Sequence, residues 1–300
     1  MPFNIFNAPL EILQDELFHQ KGISVAVLRL DAIHPVVSGN KLFKLHYFLE
    51  DAASSAHQTI LTFGGAYSNH LVATAFACQS MGLKSIGIVR GEKPLQLSHT
   101  LQQCSSYGMQ LQFVSRAIYD EKEKPSFLQD LKDKWGDCCI VPEGGYHPLG
   151  AKGAALIPDL LKEEHYSHIC TAAGTLTTTA GLLLGTKHQV ISVPVLKGMA
   201  DIDERMAFLC NNNYDQQQLE IADGYHFGGY AKKTPELIDF MNQLWQQQQL
   251  ATDFVYTGKL FFAIYDKIKK GHFPKGSRII CLHTGGLQGN NSLPPGSLLF

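Results

Sequence analysis

Eight short runs of apolar and β-branched residues punctuate this chain: SVAVLRL, QTILTFGG, KSIGIVR, LQFV, CCIVP, HICTAAG, QVISVPV and RIICLH. Between them lie segments of helical periodicity, of which SNHLVATAFACQSMG, PLGAKGAALIPDLLKEE and TPELIDFMNQLWQQQQL are the clearest. This alternation constrains the fold severely. Strands separated by crossover helices pair in parallel, and a parallel sheet needs helices on both faces. Eight strands exceed what one small sheet uses, and 300 residues exceed the usual size of one compact domain. The expected class is α/β, with two doubly wound, mostly parallel-sheet lobes.

Composition removes several functions. With 45 % apolar and 17 % charged residues the chain can bury a large core. A net charge of −2 gives no chain-wide basic surface, so nucleic acid is not an expected partner. Seven cysteines form no CxxC pair, so neither a zinc ribbon nor a disulfide framework is indicated and no metal is expected. The N-terminus lacks the apolar core of a signal peptide, and no apolar run is long enough to span a membrane. These features point to a soluble, cytoplasmic protein. The stretch from Ile118 to Lys124 reads as a charged surface loop, and the glutamine run at 246–249 as a solvated helical face.

In open α/β sheets ligands bind beyond the carboxyl ends of the strands, so the strand-to-helix junctions are where chemistry is sought. At LTFGGAYSNHLVATA, two glycines end a strand, and Ser68, Asn69 and His70 open a helix. Ser68 suits an N-cap, but the trio also offers a hydroxyl, an amide and an imidazole to a ligand. At TAAGTLTTTAGLLLG, Gly174 and the hydroxyls of Thr175, Thr177 and Thr178 precede a helix burying Leu182, Leu183 and Leu184. Backbone N–H groups there make a cradle for a phosphate monoester. The pattern is neither GxxxxGK[ST] nor GxGxxG, so a nucleoside triphosphate or dinucleotide is not indicated. CLHTGG ends a strand at Thr284, and DFVYTGK places Tyr256 just before a helix, either as a packed aromatic or as an acid–base group.

One further stretch, VVSGNKLFKLHYFLEDAA, opens a helix whose apolar face is Leu42, Leu45, Phe48, Leu49 and Ala52, with Ser38, Gly39 and Asn40 forming a turn and a candidate N-cap. It also puts Lys41 and Lys44 one turn apart where a helix already carries positive partial charge. Two solvated lysines are one reading; an anion site, or an amine made reactive by a lowered pKa, is the other. A phosphorylated aldehyde cofactor held by a lysine accounts for all of these junctions together.

GNKLFKLHYFLEDA, GGAYSNHLVATAFACQSMGL, the threonine-rich loop, VYTGK and HTGG occur in an order that resembles pyridoxal-phosphate enzymes of the tryptophan-synthase-β fold type. Within that group the chain is similar to the 1-aminocyclopropane-1-carboxylate deaminase and D-cysteine desulfhydrase family, from about Pro9 to Gly286. The resemblance implies that the cofactor, pyridoxal 5′-phosphate, lies in the cleft between the lobes. Residues 1–45 and 151–300 are then the larger, cofactor-binding domain and 46–150 the smaller α/β domain. It assigns Lys41 as the Schiff-base lysine, Lys44 beside it near the phosphate, and Asn69 to the phenolic oxygen. Gly174, Thr175, Leu176, Thr177 and Thr178 take the phosphate, Thr284 faces the pyridine nitrogen, and Ser68 and Tyr256 approach the substrate.

The implied activity is that of a lyase or deaminase on a small amino acid, foremost β-elimination from D-cysteine to pyruvate, ammonia and sulfide. The alternatives are aminocyclopropane carboxylate deamination, a racemase or dehydratase, and a non-catalytic small-molecule binder on the same fold. The resemblance also implies a homodimer. Ring-opening members carry a second active-site tyrosine on the strand ahead of His-x-Gly-Gly; this chain reads IICLHTGG there, and its Ser-Asn pair is followed by His70 as in desulfhydrases, so elimination ranks first.

Overall fold

A computed structural model describes residues 7–37, 39–54, 58–162 and 164–300; Ser38, half of the expected cap, lies outside the described residues. Its strands are β1 (Leu10–Leu13), β2 (Ser24–Leu28), β3 (Thr59–Gly64), β4 (Lys84–Arg90), β5 (Gln110–Val114), β6 (Cys139–Val141), β7 (His168–Ala173), β8 (Gln189–Pro194), β9 (Leu219–Ile221) and β10 (Arg278–Leu282). All eight expected runs are strands. The two additions, β1 and β9, are short edge strands whose pattern is too brief to read as a period of two.

The strands form a six-stranded sheet in the order β1-β2-β10-β7-β8-β9 and a four-stranded sheet in the order β5-β4-β3-β6. Every pairing is parallel except β1 with β2. The central strands β7 and β8 are buried from their second residue onward, as strands covered on both faces must be. The fold class is thus as expected, mixed α/β with mostly parallel sheets. Among the described residues no helix is long and apolar enough to cross a membrane.

Local details depart from the expectations in three places. The segment from Ile118 to Lys124 is not simply a solvated loop: Tyr119 is buried, packs edge-on against Phe63 and lies under the Lys122 ammonium. Leu184 is exposed while Leu182 and Leu183 are buried, because the helix Thr177–Gly185 ends one residue later. PLGAKGAALIPDLLKEE is not one helix but the helix Pro148–Ala154 and a 3₁₀ turn Pro158–Leu161, since Pro158 cannot continue an α-helical ladder. The glutamine run ends the helix Pro235–Gln248, with Gln249 in the left-handed region at its C-cap.

Three helices meet beneath the carboxyl ends of the strands. The helix Asn40–Ser54 buries Leu42, Phe43, Leu45, Phe48, Leu49 and Ala52. Its neighbour Pro148–Ala154 approaches so closely that a Cβ on Gly153 would lie 2.0 Å from the Phe43 carbonyl oxygen. On its other flank a Cβ on Gly181, in Thr177–Gly185, would lie 2.4 Å from the Ala154 Cβ. This close packing fixes the lysine-bearing helix relative to the threonine-bearing one. Gly153→Ala therefore has to push backbone aside, and we expect it to cost about 1–3 kcal/mol of stability. A urea unfolding midpoint equal to that of the unmodified protein would contradict this reading of the interface.

Candidate active site

The helix Asn40–Ser54 begins at Asn40, so the asparagine is a helical residue and not a preceding cap. Its buried side chain bridges two of the expected segments. Asn40 Nδ2 donates to Thr178 Oγ1 at 2.8 Å, and Lys41 Nζ donates to Asn40 Oδ1 at 2.8 Å. Just before it, Gly39 has φ +71°, and a Cβ there would sit 1.9 Å from the Thr284 carbonyl oxygen. Only glycine permits that approach. The start of this helix is thus wedged between the threonine loop and the end of β10.

Burial acts strongly on both lysines. It lowers Lys41 to about 8, with Asp253 pulling in the opposite direction. It pushes Lys44 well below the ordinary range, and Lys41 adds to the effect. Buried His70, lowered to about 3 by burial and then by Lys41 and Lys44, stays neutral. Its tautomer follows from its partners. Thr62 Oγ1 donates to the Val141 carbonyl at 2.8 Å, so at 2.9 Å it accepts from His70 Nε2–H, leaving Nδ1 as a bare acceptor with no partner among the described residues.

The other junctions converge on the same place. Ser68 is the N-cap of Asn69–Ser80, its Oγ accepting from Leu71 N–H at 3.3 Å. The cap reading therefore holds in the geometry, and it orients Asn69. The buried Asn69 Oδ1 has no partner among the described residues. Its amide nitrogen lies beside the second glycine of HTGG, where a Cβ on Gly286 would come within 3.2 Å of both Asn69 Nδ2 and Asp253 Oδ1. Thr284 is buried, and the preceding His283 is held with Nε2 2.8 Å from the Ala251 carbonyl and Nδ1 3.0 Å from Asp31.

The threonine loop has the form of an anion cradle. Leu176 sits at φ +63°, a left-handed turn immediately before the helix Thr177–Gly185, and its side chain is buried while its backbone shapes the turn. Thr175 and Thr177 hydroxyls are 2.8 Å apart. Gly144 and Gly145, in the turn after β6, close the cradle: Cβ atoms there would lie 3.2 Å from Thr175 Cγ2 and 3.2 Å from Lys44 Cβ respectively. Tyr256 covers the near side, within 3.3 Å of a Cβ on Gly174.

Sequence reasoning missed three residues here. Asn40 was read as a turn residue because asparagine before a helix is ordinarily a cap. Asp253 is buried with both carboxylate oxygens occupied: Oδ2 accepts from Val255 and Tyr256 N–H, and Oδ1 from Thr257 N–H and Oγ1, all within 2.9 Å. An aspartate four residues before Thr257 is a readable capping signal. Tyr230 meets Tyr256 edge to face, ring centroids 6.1 Å apart at 73°. A second tyrosine thus stands beside Tyr256, from the loop after β9. Burial first, and then Tyr230, raises the Tyr256 phenol well above its usual range, so it stays protonated.

The residues present fit pyridoxal phosphate. An amine close to neutrality, an unpartnered buried amide, a left-handed turn at a helix start and a threonine hydroxyl at a strand end are its donor set. Comparisons with known proteins agree. A relative from Pyrococcus abyssi, provisionally named a 1-aminocyclopropane-1-carboxylate deaminase, is 29 % identical over 95 % of this chain and 90 % of its own. The D-cysteine desulfhydrase of Klebsiella pneumoniae is 26 % identical over 93 % of this chain and 91 % of its own. The crystal structure of an ACC deaminase homologue superposes with a TM-score of 0.79 at 25 % identity, covering 96 % of this chain and 92 % of that one. The model of the family described as pyridoxal-phosphate dependent enzymes matches residues 3–285, and the chain belongs to that family.

Proposed function

We propose that this enzyme catalyses β-elimination from D-cysteine, giving pyruvate, ammonia and sulfide. The observation that carries the reading is the Lys41 amine, lowered to about 8 by burial and held on Asn40 beside the threonine cradle. Bound pyridoxal phosphate supplies an aldehyde for amino groups and an electron sink for charge at the substrate Cα. The remaining work falls to the chain. Backbone N–H groups around Leu176, with Thr175, Thr177 and Thr178, would hold the phosphate, with Lys44 beside it. Asn69 would take the phenolic oxygen, and Thr284, a hydroxyl and not a carboxylate, would face the ring nitrogen without protonating it, which would favour elimination over transamination. Lys41, once free and neutral, removes the Cα proton. Tyr256, kept protonated by burial, donates to the departing sulfur. Ser68 stands at the substrate side of the Ser-Asn turn as a second proton carrier.

Domain limits belong to the same proposal. Residues 46–150 form the smaller domain and 1–45 with 151–300 the larger, a division supported by the four-stranded sheet lying wholly between Thr59 and Val141. Cytoplasmic location is supported by seven free cysteines, six of them buried. A homodimer follows the family resemblance.

One observation favours a second reading. Tyr230 gives the site two adjacent tyrosines, and two well-placed phenols suit opening of the aminocyclopropane ring. Sulfide and pyruvate release from D-cysteine, with L-cysteine and aminocyclopropane carboxylate alongside, separates the two. We expect sulfide and pyruvate from D-cysteine and at least about tenfold less turnover of the other two, a difference of roughly 1.4 kcal/mol in barrier. Ammonia and 2-oxobutanoate from aminocyclopropane carboxylate alone would replace elimination by ring opening.

A pH prediction follows from Lys41. Only its neutral amine adds to an aldehyde, and that fraction grows as pH rises toward about 8. Recovery of the visible cofactor band by cofactor-stripped enzyme should accelerate about tenfold per pH unit below 8 and level off above it. A rate still climbing at the ordinary lysine pKa would show that Lys41 is not desolvated as described.

A further inference from the structure

The lysine that ends VYTGK has no part in the chemistry above, yet it is wholly buried. Lys259 Nζ donates at 2.8 Å to the His226 carbonyl and at 2.8 Å to the Gly229 carbonyl, both in the loop that carries Tyr230. That loop is conformationally costly. Phe227 (φ +51°), Gly228 (φ +95°), Gly229 (φ +119°) and Ala231 (φ +52°) all have positive φ. Left-handed backbone is strained for a residue with a Cβ, so Phe227 and Ala231 keep it only where their surroundings impose it.

Outside contacts hold only part of it: Phe227 packs edge-on against Phe262, ring centroids 4.9 Å apart, and Gly229 comes up against Lys197, while Gly228, Gly229 and Tyr230 line a cavity of about 480 Å³ together with Met199 and Arg205. Within the loop, Gly229 N–H donates to the His226 carbonyl at 3.0 Å and Lys232 N–H to the Gly229 carbonyl at 3.1 Å. Lys259 supplies a second, charge-assisted donor to each of those two carbonyls. Hydrogen bonds from a charged donor are markedly stronger than neutral ones, enough to hold a strained loop.

We propose that Lys259 is a positioning residue: it pins the His226–Ala231 loop and so sets Tyr230 against Tyr256. This deepens the functional reading above and rests on its placing of Tyr256 at the substrate. Lys259 lies three residues after Tyr256, in the helix Thr257–Lys269 whose start is fixed by Asp253. One rigid helix start therefore presents Tyr256 directly and Tyr230 through the lysine. An apolar residue at 259 would fill the space and hold neither carbonyl. Burial brings the Lys259 amine down to about 8 against the pull of Asp253, a desolvation cost that purely structural packing would avoid.

The test uses cofactor-loaded enzyme carrying Lys259→Met and Tyr230→Phe, separately and together. Amide hydrogen exchange across residues 226–231 should quicken at least about tenfold in Lys259→Met, with the visible cofactor band intact. Both single variants should lower kcat more than they raise KM. The double variant should be no worse than about twofold below the weaker single one, because both remove the same contact. Unchanged exchange, or losses that multiply, would overturn the proposal. If the methionine variant does not fold, Lys259→Gln, which keeps one neutral donor, is read by the same cycle. If the unmodified enzyme turns over none of the amino acids offered, the functional reading has failed. The cycle is then read from the D-cysteine concentration that half-shifts the visible band, which tests the lysine independently.

Discussion

Two amines three residues apart, drawn out of water in the first turn of a helix, set the constraint that the surrounding site answers. Each ammonium loses hydration worth several kcal/mol, and each opposes the charge of the other and of the helix start. The protein answers by letting them titrate: Lys41 falls to about 8 and Lys44 further, while His70 beside them is held neutral at about 3. Part of the opposing negative charge comes from Asp253, whose pull on Lys41 is upward. In the proposed reading a phosphate in the adjacent cradle would complete the balance, making the lysine pair and the anion site two halves of one electrostatic arrangement.

The surrounding fold serves to hold that arrangement still. The ends of β3, β7 and β10 deliver Asn69, the threonine cradle and Thr284, and the helix Asn40–Ser54 delivers the lysines from beneath. Glycines replace side chains where these parts touch, at Gly39 against Thr284 and at Gly153 against Phe43. Hydrogen bonds then fix the register: Asn40 couples Lys41 to Thr178, and Asp253 couples Tyr256 to its helix. A shift of 1 Å in any helix would misplace the amine relative to the strand ends, which is the geometric sensitivity expected of a catalytic site.

Much of this was legible in the residues, and the reasons are physical. Parallel strands covered on both faces, such as β7 and β8, write near-continuous apolar runs, and β-branched or apolar runs marked the other parallel strands, whereas β1 and β9, at the edges of the six-stranded sheet, are too short to declare themselves. Glycines and hydroxyls at strand ends marked the junctions because backbone and ligand must approach closely there. Tyr230 and Lys259 were hidden for the opposite reason. The loop that carries Tyr230 is irregular and has no period, and the fit of Lys259 to two carbonyls 30 and 33 residues away is a tertiary fact. The buried Tyr119 misled in the same way, its charged neighbours Lys122 and Arg90 lying over its ring and not in solvent around a loop.

Lys41 is proposed as the amine that bonds the cofactor, with Lys44 and Lys259 serving charge and position. Borohydride reduction of the cofactor-loaded enzyme followed by peptide mapping tests this most directly. The pyridoxyl mass should appear on the peptide containing Lys41, at that residue and at close to one per chain. Label on Lys44 or Lys259, with Lys41 unmodified, would contradict the assignment and the electrostatic argument built on it.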